Sequence, residues 1–349
     1  MPTQTLYERV FKKLNIKKSQ NPWEDYDILI YYKISVINFG KYDMYYRRNN
    51  IKPKFDKIQL DNGSYMGKVP FYLLIGDKSF FNYNHFSFYP YSFNVNFKER
   101  VDLMSLRGIL RKELKKYSYW IIKPSLGLQG SDIIISEREK VFSNIKKYHK
   151  NSYPLVVQRY ITNPLLIQGY KFDFRVYVLF IGNEIYINKY YYIRLASKLY
   201  DYSNPTDLSS GLTNYSIHKN INLMWSRDKF LDEYEKQYPN NSKKFLDSKL
   251  LSKFTKIIID IFNFIKTKID MSFIKDKKNN YFNIFGFDFI PDETGKIYLL
   301  EINHGPGFSD NRKNSQAEKV ITDMIQMIID KKNNNKQKKS SFILINNII

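Results

Sequence analysis

Residues Phe285 to Asn303 read FGFDFIPDETGKIYLLEIN: two apolar runs joined by a turn, each run carrying one isolated carboxylate. Asp288 is set in Phe-Gly-Phe-Asp-Phe-Ile, and Glu301 in Ile-Tyr-Leu-Leu-Glu-Ile-Asn. An ionised group inside a strand of the buried type is costly unless it is paired or bound to a metal. Pro291 to Gly295 is a cluster of turn formers, so the two runs read as a hairpin. A four-residue loop sets Asp288 opposite Glu301; other registers leave them diagonal neighbours. Alternation along the second strand puts Glu301 and Asn303 on one face. Two carboxylates and an amide are hard oxygen ligands, suited to Mg²⁺ held together with the phosphates of a nucleotide. A surface hairpin with its charges turned outward is the competing reading, and the apolar flanks on both faces argue against it.

A chain of 349 residues exceeds one small core and suits two or three packed subdomains. No apolar run approaches the ~18 residues that a membrane-spanning helix needs, so no membrane association is expected. Met1 to Asn15 has no uninterrupted apolar stretch of the secretory kind. The absence of cysteine excludes disulfides, thiolate metal sites and cysteine nucleophiles. A cytoplasmic protein is expected. The formal net charge of +22 favours an acidic partner, which could be nucleic acid, an anionic membrane or an acidic protein segment. The abundance of Lys, Asn, Ile, Tyr and Phe also fits an AT-rich coding sequence, so charge alone names no partner. Helix-turn-helix, zinc-finger and RNP motifs are missing, which ranks nucleic acid last.

Upstream, Asp27 to Tyr32 and Val69 to Ile75 read as buried strands, and Arg100 to Tyr117 has helical spacing. Tyr119 to Pro124 and Ile133 to Ile135 read as strands flanking a loop that holds Gly127 and Gly130. Pro154 to Ile161 reads as a further strand. In Lys171-Phe-Asp-Phe-Arg175-Val-Tyr-Val, strict alternation puts Lys171, Asp173 and Arg175 on one face. Lys244 to Asp270 is the clearest helix, with Phe245, Leu250, Phe254, Ile257, Ile258, Ile261, Phe262 and Ile265 as its apolar face. A shorter helix covers Gln316 to Ile329. Lys331 to Lys339 reads as a solvated linker, and Phe342 to Ile349 as an apolar tail that packs back on the domain.

Lys123, Lys171 and Arg175 are cations on or beside strands, suited to phosphate oxygens. The glycines of the 127–130 loop let backbone N–H groups close over phosphates, in a pattern that is neither Walker nor Rossmann. Several motifs then follow in order: Trp120-Ile-Ile-Lys123-Pro124, Val157-Gln158-Arg159-Tyr160-Ile161, Asn163-Pro-Leu-Leu-Ile, Tyr170 to Val178, Arg194, Leu212-Thr213-Asn214-Tyr-Ser-Ile, Phe285-Gly-Phe-Asp288 and Leu300-Glu301-Ile-Asn303. This ordered set resembles the tubulin–tyrosine ligase family across about half of the chain. Asn84-His85-Phe86 extends the likeness upstream.

The resemblance implies an α+β protein with an ATP-grasp fold: two subdomains clasping ATP, preceded by a smaller N-terminal α/β subdomain. The corresponding segments are 1–115, 116–330 and a basic and apolar tail at 331–349. It implies an ATP-dependent amino-acid ligase. Such an enzyme phosphorylates a carboxylate on an acidic protein tail (tubulin by analogy) and lets the amine of a free amino acid displace the phosphate. A monomer and an association with the cytoskeleton follow from the same analogy. By resemblance Lys123 and Lys171 contact the nucleotide, Gln158, Tyr160 and Ile161 its adenine, and Asp173 its sugar or polar edge. Arg175 and Arg194 hold the γ-phosphate or a substrate carboxylate, Thr213 and Asn214 line the cavity, and Asp288, Glu301 and Asn303 bind Mg²⁺. Without the resemblance, Lys171, Asp173 and Arg175 read as a salt-bridged ladder on a strand, and Thr213-Asn214 as a turn. Gln129, Ser131 and Asp132 depart from the basic residue and glycine usual in that loop, and His304 to Phe308 departs from the usual small polar run. The competing function is a nucleotide-binding but inactive basic adaptor, for which the altered loop is the support.

Overall fold

The computed structural model describes residues 2–16, 28–29, 65–66, 72–80, 86–95, 108, 111–125, 132–148, 154–213, 223–240, 242–269, 280–308, 315–336 and 339–347. Helix and antiparallel sheet are segregated in an α+β arrangement, with strands in two separate sheets. The larger sheet includes two short parallel strands, β1 (Ile28–Leu29) and β2 (Tyr65–Met66). The first lies within the expected strand at Asp27 to Tyr32, whose remaining residues fall outside the described ones. The smaller sheet runs in the order β3 (Ser92–Val95), β6 (Leu155–Arg159), β4 (Tyr119–Pro124), β5 (Ile134–Glu137). All its pairings are antiparallel. Trp120, Ile122, Leu155 and Val157 bury one of its faces against Val141 and Ile145 of helix α3 (Val141–Lys146). The opposite face carries Lys123 and Gln158, which is how alternation delivers polar side chains to a cleft.

The larger sheet is organised by β8 (Tyr170–Ile181). Along one edge it pairs with β12 (Asn280–Pro291), which also pairs with β13 (Ile297–Asn303). Its other edge pairs with β10 (Tyr192–Leu199) near its start and β9 (Glu184–Asn188) near its end. Strand β7 (Leu166–Ile167) pairs with the first residues of β8, β11 (Met224–Ser226) with β10, and the short helix α4 (Leu208–Gly211) follows β10. Strand β14 (Phe342–Asn347) pairs with β9, so the apolar tail packs back on the protein. Phe172, Phe174, Val176, Val178 and Phe180 point to one face and bury it against helices α5 (Arg227–Gln237) and α6 (Lys243–Lys268). Each fully buried Phe contributes about 1.5–3 kcal/mol of transfer free energy, so this aromatic layer fixes the strand's rotation. The other face changes character along its length. Tyr177, Leu179 and Ile181 are apolar and lie under helices α7 (Gln316–Lys332) and α1 (Pro2–Lys13). Asp173 and Arg175, nearer the strand's start, are polar. The face thus turns from core into site at Arg175.

Three differences from the sequence reading have physical causes. Val69 to Ile75 reads as a strand, but Tyr72–Gly76 is a helix, α2, and residues 69–71 lie outside the described ones. A short apolar run has no period of its own and takes the conformation its surroundings favour. Phe245 is 60% exposed, although it shares the apolar spacing of α6. It sits in the first turn, where Ser242 caps the helix, while buried positions begin at Leu250. The expected linker from Lys331 begins as the last turn of α7 and becomes irregular only from Asn333. The segment 111–114 is helical within the expected Arg100 to Tyr117 helix, most of which falls outside the described residues. Among the described residues no helix is long and apolar enough to cross a membrane.

Candidate active site

The decisive hairpin is present, and its register depends on an irregularity. Pro291 pairs with Ile297 and Phe289 with Leu299, but Asp288 pairs with Glu301, because β13 is shifted by one residue at Leu300. A regular ladder would set Asp288 opposite Leu300 and turn Glu301 to the other face. The loop is longer than four residues, and the bulge restores the facing register. Asp288, Glu301 and Asn303 consequently share the face that carries Asp173 and Arg175, since Arg175 pairs with Asp288 and Asp173 with Arg194.

On this face the charges form a closed lattice. The guanidinium of Arg175 donates to Asp288 from Nε to Oδ1 (2.5 Å) and from Nη2 to Oδ2 (2.9 Å). Arg194 grips Asp173 with two bonds of 2.7 Å, and its Nη2 also lies 2.9 Å from Asp288 Oδ2. Thr213 donates its hydroxyl to Asp173 Oδ2. The amide nitrogen of Asn303 spans both carboxylates, 3.2 Å from Asp288 Oδ2 and 3.3 Å from Glu301 Oε1. Burial pushes the Asp173 carboxyl upward against the opposing pull of Arg194. At Glu301 burial also pushes upward, but Lys78, Lys123, Arg194 and Arg175 together hold the carboxyl at about 2. Glu301 therefore stays ionised in a mostly dry site.

Across the gap the small sheet supplies Lys123 and Gln158, and Lys171 of β8 adds a second buried cation. Lys123 Nζ donates to Gln158 Oε1 at 2.9 Å and reaches the carbonyl of Leu300, the bulged residue, at 3.3 Å. Lys171 Nζ donates to the Tyr160 hydroxyl at 2.6 Å and lies 3.9 Å from the centre of that ring. The Tyr160 hydroxyl in turn donates to the carbonyl of Gly211. Both ammonium groups are buried. Burial pushes Lys171 down to about 7, against Asp173, and Lys123 down to about 8, against Glu301. Two lysines held this far below their ordinary 10.5 are sites where an anion restores charge at little cost.

These groups surround one open cleft between the two sheets. Ile121, Ile133, Ile161, Leu212 and Ile290 contribute apolar lining, while Lys123, Lys171, Arg194, Asp288 and Glu301 contribute charge. An apolar slot beside a cationic row suits a flat base attached to a polyanion. Among the described residues no three carboxylates or imidazoles converge as a metal cage. Asp288, Glu301 and Asn303 nevertheless fit a hard cation that takes its other ligands from phosphate. Two carboxylates face across the bulge, and rotation of the Asn303 amide exchanges its nitrogen for an acceptor oxygen.

The structure brings together Lys123, Gln158, Tyr160, Ile161, Lys171, Asp173, Arg175, Arg194, Thr213, Asp288, Glu301 and Asn303. Asn214, the loop residues Gly127, Gln129, Gly130 and Ser131, and Asn84 and His85 lie outside the described residues. Asp132 has a left-handed backbone (φ 59°), and its carbonyl accepts from Tyr148. Sequence reasoning missed Lys78, whose Nζ lies 3.4 Å from Glu301 Oε2 with its side chain 10% exposed. It follows α2, which packs so closely on β13 that a Cβ on Gly76 would meet His304 Nδ1 at 2.4 Å. The adjacent Asp77 caps its own turn by accepting from Ser79. An isolated Lys in a Gly-Asp-Lys-Ser turn carries no local signal. Pro306 covers Gly286 beside Arg175, and Phe308 stacks on Tyr177 at 4.7 Å, so the segment after Asn303 walls the Arg175 end.

The fold and site define a two-sheet protein whose cleft gathers two buried lysines, two arginines and a carboxylate–amide set. Residues 64–337 match the sequence profile of the tubulin-tyrosine ligase family, and the chain belongs to that family. It is 30% identical over 240 residues to a probable tubulin polyglutamylase of Caenorhabditis elegans, covering 63% of this chain and 55% of the relative. It is 30% identical over 250 residues to a probable tubulin polyglutamylase of Mus musculus, covering 66% and 41%. A human relative bearing the name inactive polyglycylase is 28% identical over 239 residues, covering 61% and 34%. The chain spans about half the length, or less, of these relatives.

Proposed function

We propose that this chain is an ATP-dependent carboxylate–amine ligase that joins a free amino acid to a carboxylate on an acidic protein tail. The observation that carries the reading is the run of groups along one cleft: an apolar slot, two buried lysines, and the Asp288–Glu301–Asn303 set. The two sheets are taken as the halves of an ATP-grasp core within residues 116–330, preceded by an N-terminal subdomain (1–115) and followed by a tail (331–349). Ile161 and Tyr160 with Gln158 would line the base, Lys123 and Lys171 the phosphates, and Asp173 with Thr213 the sugar side. Asp288, Glu301 and Asn303 would hold Mg²⁺, which supplies charge neutralisation on the transferring phosphate.

Arg175 and Arg194 are both committed to aspartates, yet each keeps further N–H groups for a γ-phosphate or a substrate carboxylate. They hold two anions near each other without a covalent nucleophile, in keeping with a reaction that runs through an acyl phosphate. Lys78 joins them from the N-terminal side and keeps Glu301 ionised. Tubulin is the proposed acceptor because relatives bear its name; a monomer associated with the cytoskeleton is the corresponding assembly.

The test is mass spectrometry of acidic-tailed proteins, tubulin included, after incubation with the chain, Mg-ATP and all twenty amino acids. Mass additions that disappear with Glu301→Gln support the ligase and name acceptor and amino acid. ATP binding without any addition would overturn it in favour of the inactive basic adaptor.

A further inference from the structure

A second, open recess lies against β6 and has no part in the proposed reaction. Alternation along β6 sends Gln158 toward the cleft and Arg159, which pairs with Trp120, to the opposite face. There the Arg159 guanidinium lies 4.7 Å from the centre of the Tyr117 ring. Lys296, exposed at the end of the catalytic hairpin's turn, lies 4.8 Å from the centre of the Tyr298 ring. Tyr89 and Tyr91 supply further aromatic wall. Among the described residues neither Arg159 nor Lys296 has a carboxylate within ion-pair distance, whereas neighbouring Lys116 is paired with Glu113 at 2.8 Å. Two cations are thus spread over tyrosine rings at the recess, where the Asp292 carboxylate accepts from the backbone N–H of Lys296.

We propose that this recess binds an acidic peptide segment: carboxylates meet Arg159 and Lys296, and the peptide's backbone and side-chain methylenes lie on the tyrosines. This rests on the reading of the chain as a ligase for an acidic tail, and it assigns a contact for that tail away from the reacting carboxylate. A compact phosphate is less well suited. Phosphate sites gather backbone N–H groups and cations on one point, while here each cation is laid over its own ring and no glycine is among the described residues that line the cavity. The site is also mechanically close to the cleft. Tyr91 accepts from the backbone N–H of Arg159 at 2.7 Å, and Phe88 accepts from Leu299 N–H at 2.8 Å. The 86–91 segment therefore ties the recess to both β6 and β13.

The test is fluorescence anisotropy of a labelled hexaglutamate peptide with the full chain, without ATP and at low salt. Arg159→Gln/Lys296→Gln is compared with Lys249→Gln/Lys268→Gln, which removes the same charge from exposed positions on α6. The proposal expects the first pair to weaken binding about tenfold or more and the second less than about twofold. Equal weakening by both pairs would assign binding to the general positive field and overturn the recess. Displacement of the peptide by millimolar inorganic phosphate, but not by matched chloride, would overturn the peptide in favour of a phosphate-bearing ligand. Because the assay needs no ATP, peptide binding that persists while wild-type protein adds no amino acid would retire the ligase reading and leave the recess standing.

Discussion

On the proposed function, Lys171 and Lys123 should make nucleotide binding a proton-uptake reaction. Without an anion, burial holds them at about 7 and about 8. At pH 8 about 0.9 of the Lys171 sites and about half of the Lys123 sites are therefore neutral. A triphosphate placed between them returns both to the ordinary lysine range, so binding takes up about 1.4 protons. At pH 6 both are already charged, and uptake falls to about 0.1. Isothermal titration of Mg-ATP in buffers of different ionisation enthalpy reads this number directly as the slope of observed enthalpy against buffer enthalpy. Lys171→Met should remove most of the pH 8 uptake and leave about half a proton, that of Lys123. A slope near zero at pH 8, or proton release, would refute the argument that these two ammonium groups meet the phosphates.

The same lysine carries a stability consequence. Its folded value of about 7 lies below the ordinary 10.5, so between those pH values the unfolded chain holds more protons and stability rises with pH. Lys171→Met should flatten that rise and stabilise the ligand-free protein at pH 6 by a few kcal/mol, read from denaturant melts at both pH values. Arg194→Ala leaves Asp173 and Asp288 buried without a shared partner, and should cost about 3–5 kcal/mol by the same melts; a loss under about 1 kcal/mol would mean that solvent already screens the lattice. Gly76→Ala drives a methyl into His304 and should lever α2 off β13, costing about 1–3 kcal/mol. It should also weaken Mg-ATP binding by displacing Lys78 from Glu301, measured by the same titration.

Much of this site is legible in the chain because strands alternate. Lys171, Asp173 and Arg175 stand at every second position, and so do Glu301 and Asn303; a period of two is a local property. The hairpin, the α6 helix and the returning tail are readable on similar grounds, as runs whose apolar spacing matches one conformation. Other features rest on contacts between residues far apart in sequence. The facing of Asp288 and Glu301 depends on the bulge at Leu300, which no local pattern marks, since either neighbour of an apolar pair can carry the extra residue. Helix α2 arises where Tyr72–Gly76 packs beside β13, and its short apolar run would serve a strand equally well. Lys78 becomes part of the site only because that packing sets it 3.4 Å from a carboxylate 223 positions later in the chain. Phe245 shares the apolar spacing of α6 yet lies exposed in its first turn, ahead of the first buried position, Leu250. Periodicity assigns a face to each side chain, but which faces meet is settled by the packing energy of the whole chain.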